Sequence, residues 1–426
     1  MQTKLQQALR AGLRPGGDLV SELKQCLDYP VESRQDALAI CRALRKFPRS
    51  EDPILLPSLT FSPLQMLVYL FQAVETQEAF NVLCEQGLPE LARIFDAQFE
   101  HPEANCEEML YLLKMFAAYS FEEAIPRIVV AAQDEHLCNG MLWPAIFSQF
   151  DEADSLREEL MDNLSDPLPK GFARVAFLDF VNELALDGEL EDHPFDCEEG
   201  VADFEKWLLS SEPDELSFAQ SATGSLPFLS GPARENLLAL ALDHLSEPIQ
   251  LEAAWAAAYL DRAPAVRFLQ RYCLDPYYSV TACHYLEEVG REEAIPEAAR
   301  EPDFRALSEM CLWLSHPSEF GTPPDEIEPY DSRVMFWPPT NDERQVWLFR
   351  YRYFAEEPGE EDDTGIGMVG STTFALFGES SFEMSPEDVY ALHCCWELQQ
   401  SEDPRAPKER SVEVGKRLLE EYDRYR

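Results

Sequence analysis

From its first residue to about residue 318 this chain repeats one pattern, apolar side chains at three- and four-residue spacing interrupted by proline. Such spacing places apolar groups on one side of an α-helix. "DALAICRALRKF" aligns Leu38, Cys41 and Leu44, and "CEEMLYLLKMFAAY" aligns Met109, Leu112, Leu113 and Phe116. "GFARVAFLDFVNELAL" is apolar almost all round, which predicts a helix inside the stack. Pro30, Pro89, Pro102, Pro144, Pro167, Pro248, Pro264 and Pro276 fall near expected helix boundaries, because proline suits a first turn and disrupts an interior. The stretch from Phe47 to Pro63 reads as a longer, proline-rich connection.

After 318 the texture changes. Residues 319–332 read as a linker rich in proline and acid. "SRVMFW", "RQVWLFRYRYF" and "GMVGSTTFALFG" are rich in aromatic and β-branched residues and predict three antiparallel strands. In the second, Trp347, Phe349, Tyr351 and Tyr353 would point one way and Leu348, Arg350, Arg352 and Phe354 the other. A helix follows, with Ser385 as N-cap, Pro386 at its first position and Asp388 as the capping-box acid. Val389, Leu392, Cys395 and Trp396 would pack it on the sheet, and "VEVGKRLLEEYDRYR" closes the chain as a last helix. The expected fold is mainly α: a helical array over 1–318, the linker, and a small α+β domain with a three-stranded antiparallel sheet over 333–426.

Two hairpins between about 250 and 300 are alike. Tyr259-Leu260 matches Tyr285-Leu286 at an offset of 26, and Ala265-Val266 matches Ala294-Ile295 at 29, so the second loop is three residues longer. Each has a first helix with small residues, a short turn, and a second helix opening Ala-Val or Ala-Ile. Gly290 suits a left-handed cap at the turn, and Ala124, Ile125 and Pro126 echo the second helix earlier. Through Ala282, Leu286, Gly290, Ala294, Ile295 and Pro296 the region 250–316 resembles the short HEAT-like repeats, with a weaker echo at 104–135. The resemblance implies an irregular α-solenoid of a kind that mostly binds other proteins. A few relatives are lyases acting on protein-bound pigments, and none of their catalytic motifs maps onto a position here. The alternative is an irregular helical domain with two hairpins alike by accident.

The chain carries 80 acidic and 34 basic residues, a formal net charge of −46, with the acids spread along its length. Such a surface repels phosphate backbones and anionic lipid heads, which argues against nucleic acid and membrane as partners and for a basic protein or peptide. Salt adaptation and general solubility are the competing explanations. The eleven cysteines are odd in number and scattered through apolar stretches with no C-x-x-C, as reduced thiols are in a reducing compartment. With no run of 18 apolar residues and no signal-peptide core at the start, cytoplasm is the expected location.

Gly365, Gly367 and Gly370 reproduce G-x-G-x-x-G, the spacing of a dinucleotide loop. That loop needs a strand running into the glycines and a helix opening after them. Here a strand-like run follows, and Glu356, Glu357, Glu360, Glu361, Asp362 and Asp363 precede, a charge that disfavours an anionic ligand. The glycines are expected instead at a hairpin turn or bulge, with Gly370 permitting a close approach. No cofactor motif is present. Glu360, Asp362 and Asp363 are weak candidates for a hard cation. His393, His193 and Cys197 are the catalytic candidates. Trp347, Phe349, Arg350, Tyr351, Arg352 and Tyr353 are candidates for a partner-binding face, since exposed aromatics beside arginine anchor interfaces; Arg350 and Arg352 could equally stack on rings or pair with acids. The favoured function is a non-enzymatic interaction or scaffold protein. The alternative is an enzyme of unknown reaction, lyase-like or otherwise, with its site where the helical and C-terminal domains meet.

Overall fold

A computed structural model of the protein describes residues 2–15, 17, 19–24, 29–46, 54–55, 60–61, 63–100, 105–150, 154–355, 360–401 and 403–423. Most of the proline-rich connection from 47 to 63, Pro102, Glu356 and Glu357 lie outside them. The chain is mainly helical and carries one four-stranded antiparallel sheet. It divides into two compact units, Met1–Leu240 and Ala241–Arg426.

The first unit is helical apart from a two-residue ladder of Ile54–Leu55 with Thr60–Phe61 and an isolated bridge of Val31 with Val74. Its opening helices, α1 (Lys4–Gly12) and α2 (Arg34–Arg45), are joined by one buried carboxylate. Asp36 completes the capping box of α2 with Ser33 and also accepts from Thr3 Oγ1 at 2.5 Å and Gln6 Nε2 at 2.7 Å. Burial alone would raise its pKa; the donors from Ser33, Thr3 and Gln6 outweigh that and hold it below the ordinary carboxylate value. Further on come α3 (Cys106–Ala118), α4 (Ala124–Gln133), α5 (Gly171–Leu186) and α6 (Glu198–Leu209). The all-round apolar α5 is interior as expected, burying Val175, Phe177, Leu178, Phe180 and Val181. Phe177 lies 5.7 Å from the Phe147 ring and 6.0 Å from Phe195, and Phe195 stacks on Phe204 of α6 at 5.6 Å.

The second unit starts with α7 (Glu247–Tyr259), α8 (Ala263–Tyr272) and α9 (Ser279–Glu288). Among the described residues four helices end in one device: a left-handed residue follows the cap, and its amide and the next one turn back to the helix's last carbonyls. It occurs at Ser120 after α3, Gly188 after α5, Asp261 after α7 and Gly290 after α9, with φ of 48°, 75°, 58° and 68°. At Gly290 the bonds are Gly290 N to Glu287 O (2.9 Å) and Arg291 N to Leu286 O (2.7 Å); at Asp261 they are Asp261 N to Ala258 O (2.9 Å) and Arg262 N to Ala257 O (3.0 Å). The two hairpins differ in their second halves. After Asp261 the chain enters the ten-residue α8, with a proline in its first turn. After Gly290 the expected second helix breaks into a 3₁₀ turn (Glu292–Ala294) and a four-residue helix (Glu297–Arg300). Pro296 is the reason: the residue before a proline is pushed out of the helical region, and Ile295 is extended at ψ 120°. The chain recovers in α10 (Pro302–Leu314).

The sheet has strand order β1 (Glu326–Trp337), β2 (Asp342–Tyr353), β3 (Asp363–Val369), β4 (Phe374–Phe377), all antiparallel. Two expectations are corrected. The run read as a third strand is two strands, folded between Val369 and Phe374, so the sheet has four. Glu326 to Ser332, read as linker, belongs to β1. Its proline and acids had argued against a strand; as an edge strand it tolerates them. The register slips at Pro329/Asp331, and exposed Glu326 and Glu328 keep the edge from pairing further.

One face of the sheet packs on α10, with Phe349, Tyr351, Val369 and Ala375 against Ala306, Met310 and Leu314. The other carries α11 (Pro386–Gln400), with Trp337, Val346, Leu348, Ile366 and Met368 against Val389, Tyr390, Cys394 and Leu398. The expected contact face of α11 holds in part: Val389 and Trp396 meet the sheet, the latter at Phe374 of β4, whereas Cys395 turns to the other side. Cys395 Sγ reaches Ser411 O at 3.8 Å beside α12 (Val412–Asp423), and Trp396 packs on Phe374. A helix buried on two sides has no single apolar stripe, so periodicity alone could not choose its sheet side. The glycine spacing is also accounted for differently: Gly365 and Gly367 sit inside β3 and not in a turn. A Cβ at Gly365 would overlap Tyr351 and the Leu376 carbonyl, and one at Gly367 would overlap Met310, so these two exist for close approach.

Candidate functional site

Strand β2 alternates as expected, and the alternation decides what its rings can do. Phe349 and Tyr351 are buried under α10. Trp347 Nε1 donates to Asp303 at 2.8 Å, Tyr351 OH to Leu376 O at 3.1 Å, and Tyr353 OH to Thr322 O at 2.9 Å. Tyr353 also stacks on Phe320 at 4.0 Å. The reading of this face as an open set of aromatic anchors is thus corrected: α10 covers it, because rings at every second position supply the apolar area a helix packs on. On the opposite side Arg350 lies 3.8 Å over the Tyr330 ring and 5.0 Å from Phe382. Arg352 stands between Glu326 at 4.0 Å and Asp362 at 3.8 Å. Both arginines are used within the domain, by stacking and by pairing.

The histidines are buried and built differently. His193 is fixed locally: its Nδ1 accepts from Phe195 N at 3.3 Å, which leaves the proton on Nε2, 3.1 Å from Asn182 Oδ1. The ring stacks on Phe228, and burial lowers its pKa to about 4. Cys197 is exposed and caps α6, its Sγ accepting from Gly200 N at 3.4 Å. His393 has no exposed surface. Its Nε2 lies 3.3 Å from Thr372 Oγ1 and 3.6 Å from Glu397 Oε2, while its Nδ1 has no partner among the described residues. Glu397 is itself buried and already accepts from Trp337 Nε1 at 2.7 Å and from Ser371 Oγ at 2.7 and 2.8 Å. Burial lowers the His393 pKa to about 3. The cluster ties the end of β1, the β3–β4 turn and α11 together; a neutral ring with no exposed surface offers no proton to a substrate.

Of the acidic loop, Asp362 Oδ1 accepts from Ala355 N at 3.1 Å, Asp363 opens β3 and Glu360 is exposed. Among the described residues no group of three or more His, Cys, Asp or Glu is placed to hold a metal ion. No helix among them is long and apolar enough to cross a membrane.

A groove of about 560 Å³ opens in the second unit along α9, the short helix Glu297–Arg300 and α10. Ser279, Cys283, His284, Arg300, Arg305 and Glu309 line it. Cys283 and His284 are neighbours in "ACHY". Nothing in local spacing connects them to Arg300 or Arg305.

Beyond any one pocket, a set of basic residues is taken up by pairs within the fold. Arg45, Arg93, Arg127, Arg157, Arg174, Lys206, Arg234, Arg291, Arg333, Arg344, Arg405 and Lys416 each pair with a carboxylate. What is left over is negative. In the first unit Asp187, Glu191, Asp192, Asp196 and Glu198 are all exposed around the α5–α6 connection. In the second, Glu287, Glu292, Glu293, Glu297, Glu301 and Asp303 are. Comparison with protein families, curated proteins and solved structures finds no match.

Proposed function

We propose that the protein is an interaction protein of the cytoplasm that binds a basic protein or peptide through its acidic exterior, without chemistry of its own. The observation that carries this is the charge on the surface: the chain has 80 acidic and 34 basic residues, and runs of exposed acids stand around the α5–α6 connection of the first unit and from α9 to the start of α10 in the second. Such a surface speeds encounter with cationic partners and rejects anionic ones. The resemblance to short HEAT-like repeats supports the same reading, since those arrays mostly bind proteins. The left-handed caps at Asp261 and Gly290 are 29 residues apart (290 − 261), the offset also seen between Ala265 and Ala294.

Immobilised full-length protein offered poly-lysine and poly-glutamate tests the charge reading. It should retain the first and not the second, with affinity falling about tenfold or more between roughly 0.05 and 0.5 M salt. Retention of both polymers alike, or retention indifferent to salt, overturns the proposal.

A further inference from the structure

Binding by surface charge leaves one arrangement in the second unit without a use. Four charged side chains line the groove beside α9 and α10, and none of them forms an ion pair among the described residues. Two are acidic, Glu287 on α9 and Glu309 on α10; two are basic, Arg300 at the end of the short helix and Arg305 on α10. All four are exposed. Arg305 and Glu309 stand one helical turn apart, the spacing at which Glu123 and Arg127 meet at 3.7 Å. Glu309 is held elsewhere: Thr373 Oγ1 donates to its Oε1 at 2.6 Å. Arg300 is likewise fixed by a neutral group, its Nη2 donating to Glu292 O at 2.6 Å. A hydroxyl and a carbonyl thus position one charge of each sign without cancelling it. His284, also at the groove, turns to Glu288 at 3.8 Å. The remaining lining includes the aliphatic side chains of Val280, Ile295 and Ala299.

We propose that the groove is a binding site for a small aliphatic zwitterion, a molecule with a carboxylate at one end and an ammonium at the other, of which an ω-amino acid is the simplest form. Its carboxylate lies towards Arg300 and Arg305, whose planar guanidinium groups suit that shape. Its ammonium lies towards Glu287 and Glu309, and its carbon chain against Val280 and Ile295. A simple anion would meet Glu287, Glu309 and the negative exterior. A simple cation would meet Arg300 and Arg305. A molecule with both charges and no net charge escapes each of these penalties, and a groove of about 560 Å³ is of the size that takes small molecules. On the acidic exterior charge attracts any base; in the groove the placement of two signs selects.

Isothermal titration calorimetry of the full-length protein tests the site, run at about 0.15 M salt so that charges more than ~8 Å away are screened. The ligands are 4-aminobutanoate and 6-aminohexanoate, set against hexanoate and hexylamine. At least one ω-amino acid should bind at one site per chain, about tenfold or more tighter than hexanoate or hexylamine. Arg305→Gln and Glu287→Gln, both at exposed positions, should each weaken that binding about tenfold. Arg10→Gln, an exposed arginine of the first unit, should leave it unchanged. The proposal is overturned if hexylamine binds as tightly as the ω-amino acids, which reduces the groove to exterior charge, or if hexanoate does, which makes it an anion site. It is overturned equally if neither ω-amino acid binds, or if both groove substitutions leave the affinity unchanged. Poly-lysine retention does not enter the assay, so failure here leaves the charge-binding reading standing.

Discussion

The two faces of the four-stranded sheet are made by alternate residues of the same strands, and they are held by different forces. Towards α10 the contact is apolar: Phe349, Tyr351, Val369 and Ala375 meet Met310 and Leu314, with polar anchors such as Trp347–Asp303 on exposed ground. Towards α11 an apolar core surrounds a buried carboxylate, a buried histidine and, nearby, an arginine stacked on rings. The first face is stabilised by area and fit. The second also depends on every donor keeping its acceptor, because an unpaired polar group in a dry interior costs more than a made hydrogen bond contributes.

Truncation gives the largest expected effect. Phe349→Ala should lower stability by about 3–5 kcal/mol, through lost burial and the cavity left under α10. Denaturant unfolding of the full chain measures it; a loss below about 1 kcal/mol would mean that α10 does not seal this face. Glu397→Ala comes next, at about 3 kcal/mol, since Trp337 Nε1 and Ser371 Oγ then lose their acceptor. Glu397→Gln, which keeps one acceptor oxygen, should cost less than half as much; equal losses would show that the charge, not the hydrogen bonding, matters.

The smallest effect is the pH dependence of His393. Its folded pKa of about 3 lies below the ordinary 6.5, so between those values the unfolded chain binds a proton that the folded one refuses. Stability is therefore full above pH 6.5 and declines as pH falls towards 3, at about 1.4 kcal/mol per pH unit for this group. His193 behaves likewise down to about 4 in the first unit. His393→Phe should flatten the slope for the second unit between pH 6.5 and about 5, above the range where carboxylates titrate. An unchanged slope there would mean that Glu397 keeps the ring charged.

Much of the helical pattern was legible because helix spacing is a local signal. α5 could be seen as interior from composition alone, and the Ser385 cap of α11 follows from its own four residues. The cap at Gly290 was legible because glycine marks a left-handed residue. The same cap at Asp261 and Ser120 was not, since the geometry there is imposed by the hydrogen bonds that close it. At the sheet, alternation along β2 was read correctly, but the cover by α10 was not, because α10 ends 28 residues before the strand it packs on begins (342 − 314).

The sequence by itself determined the helix-rich composition of the chain, the aromatic alternation of β2 and the sign of the surface, all of which follow from neighbours within a few positions or from simple sums. Only the tertiary structure decided that β2's rings are covered, that Gly365 and Gly367 serve close packing against Tyr351 and Met310, and that Cys283, Arg300 and Arg305 come to line one groove. Those outcomes depend on which distant surfaces meet, and contact across a core is set by shape and volume that no local spacing encodes.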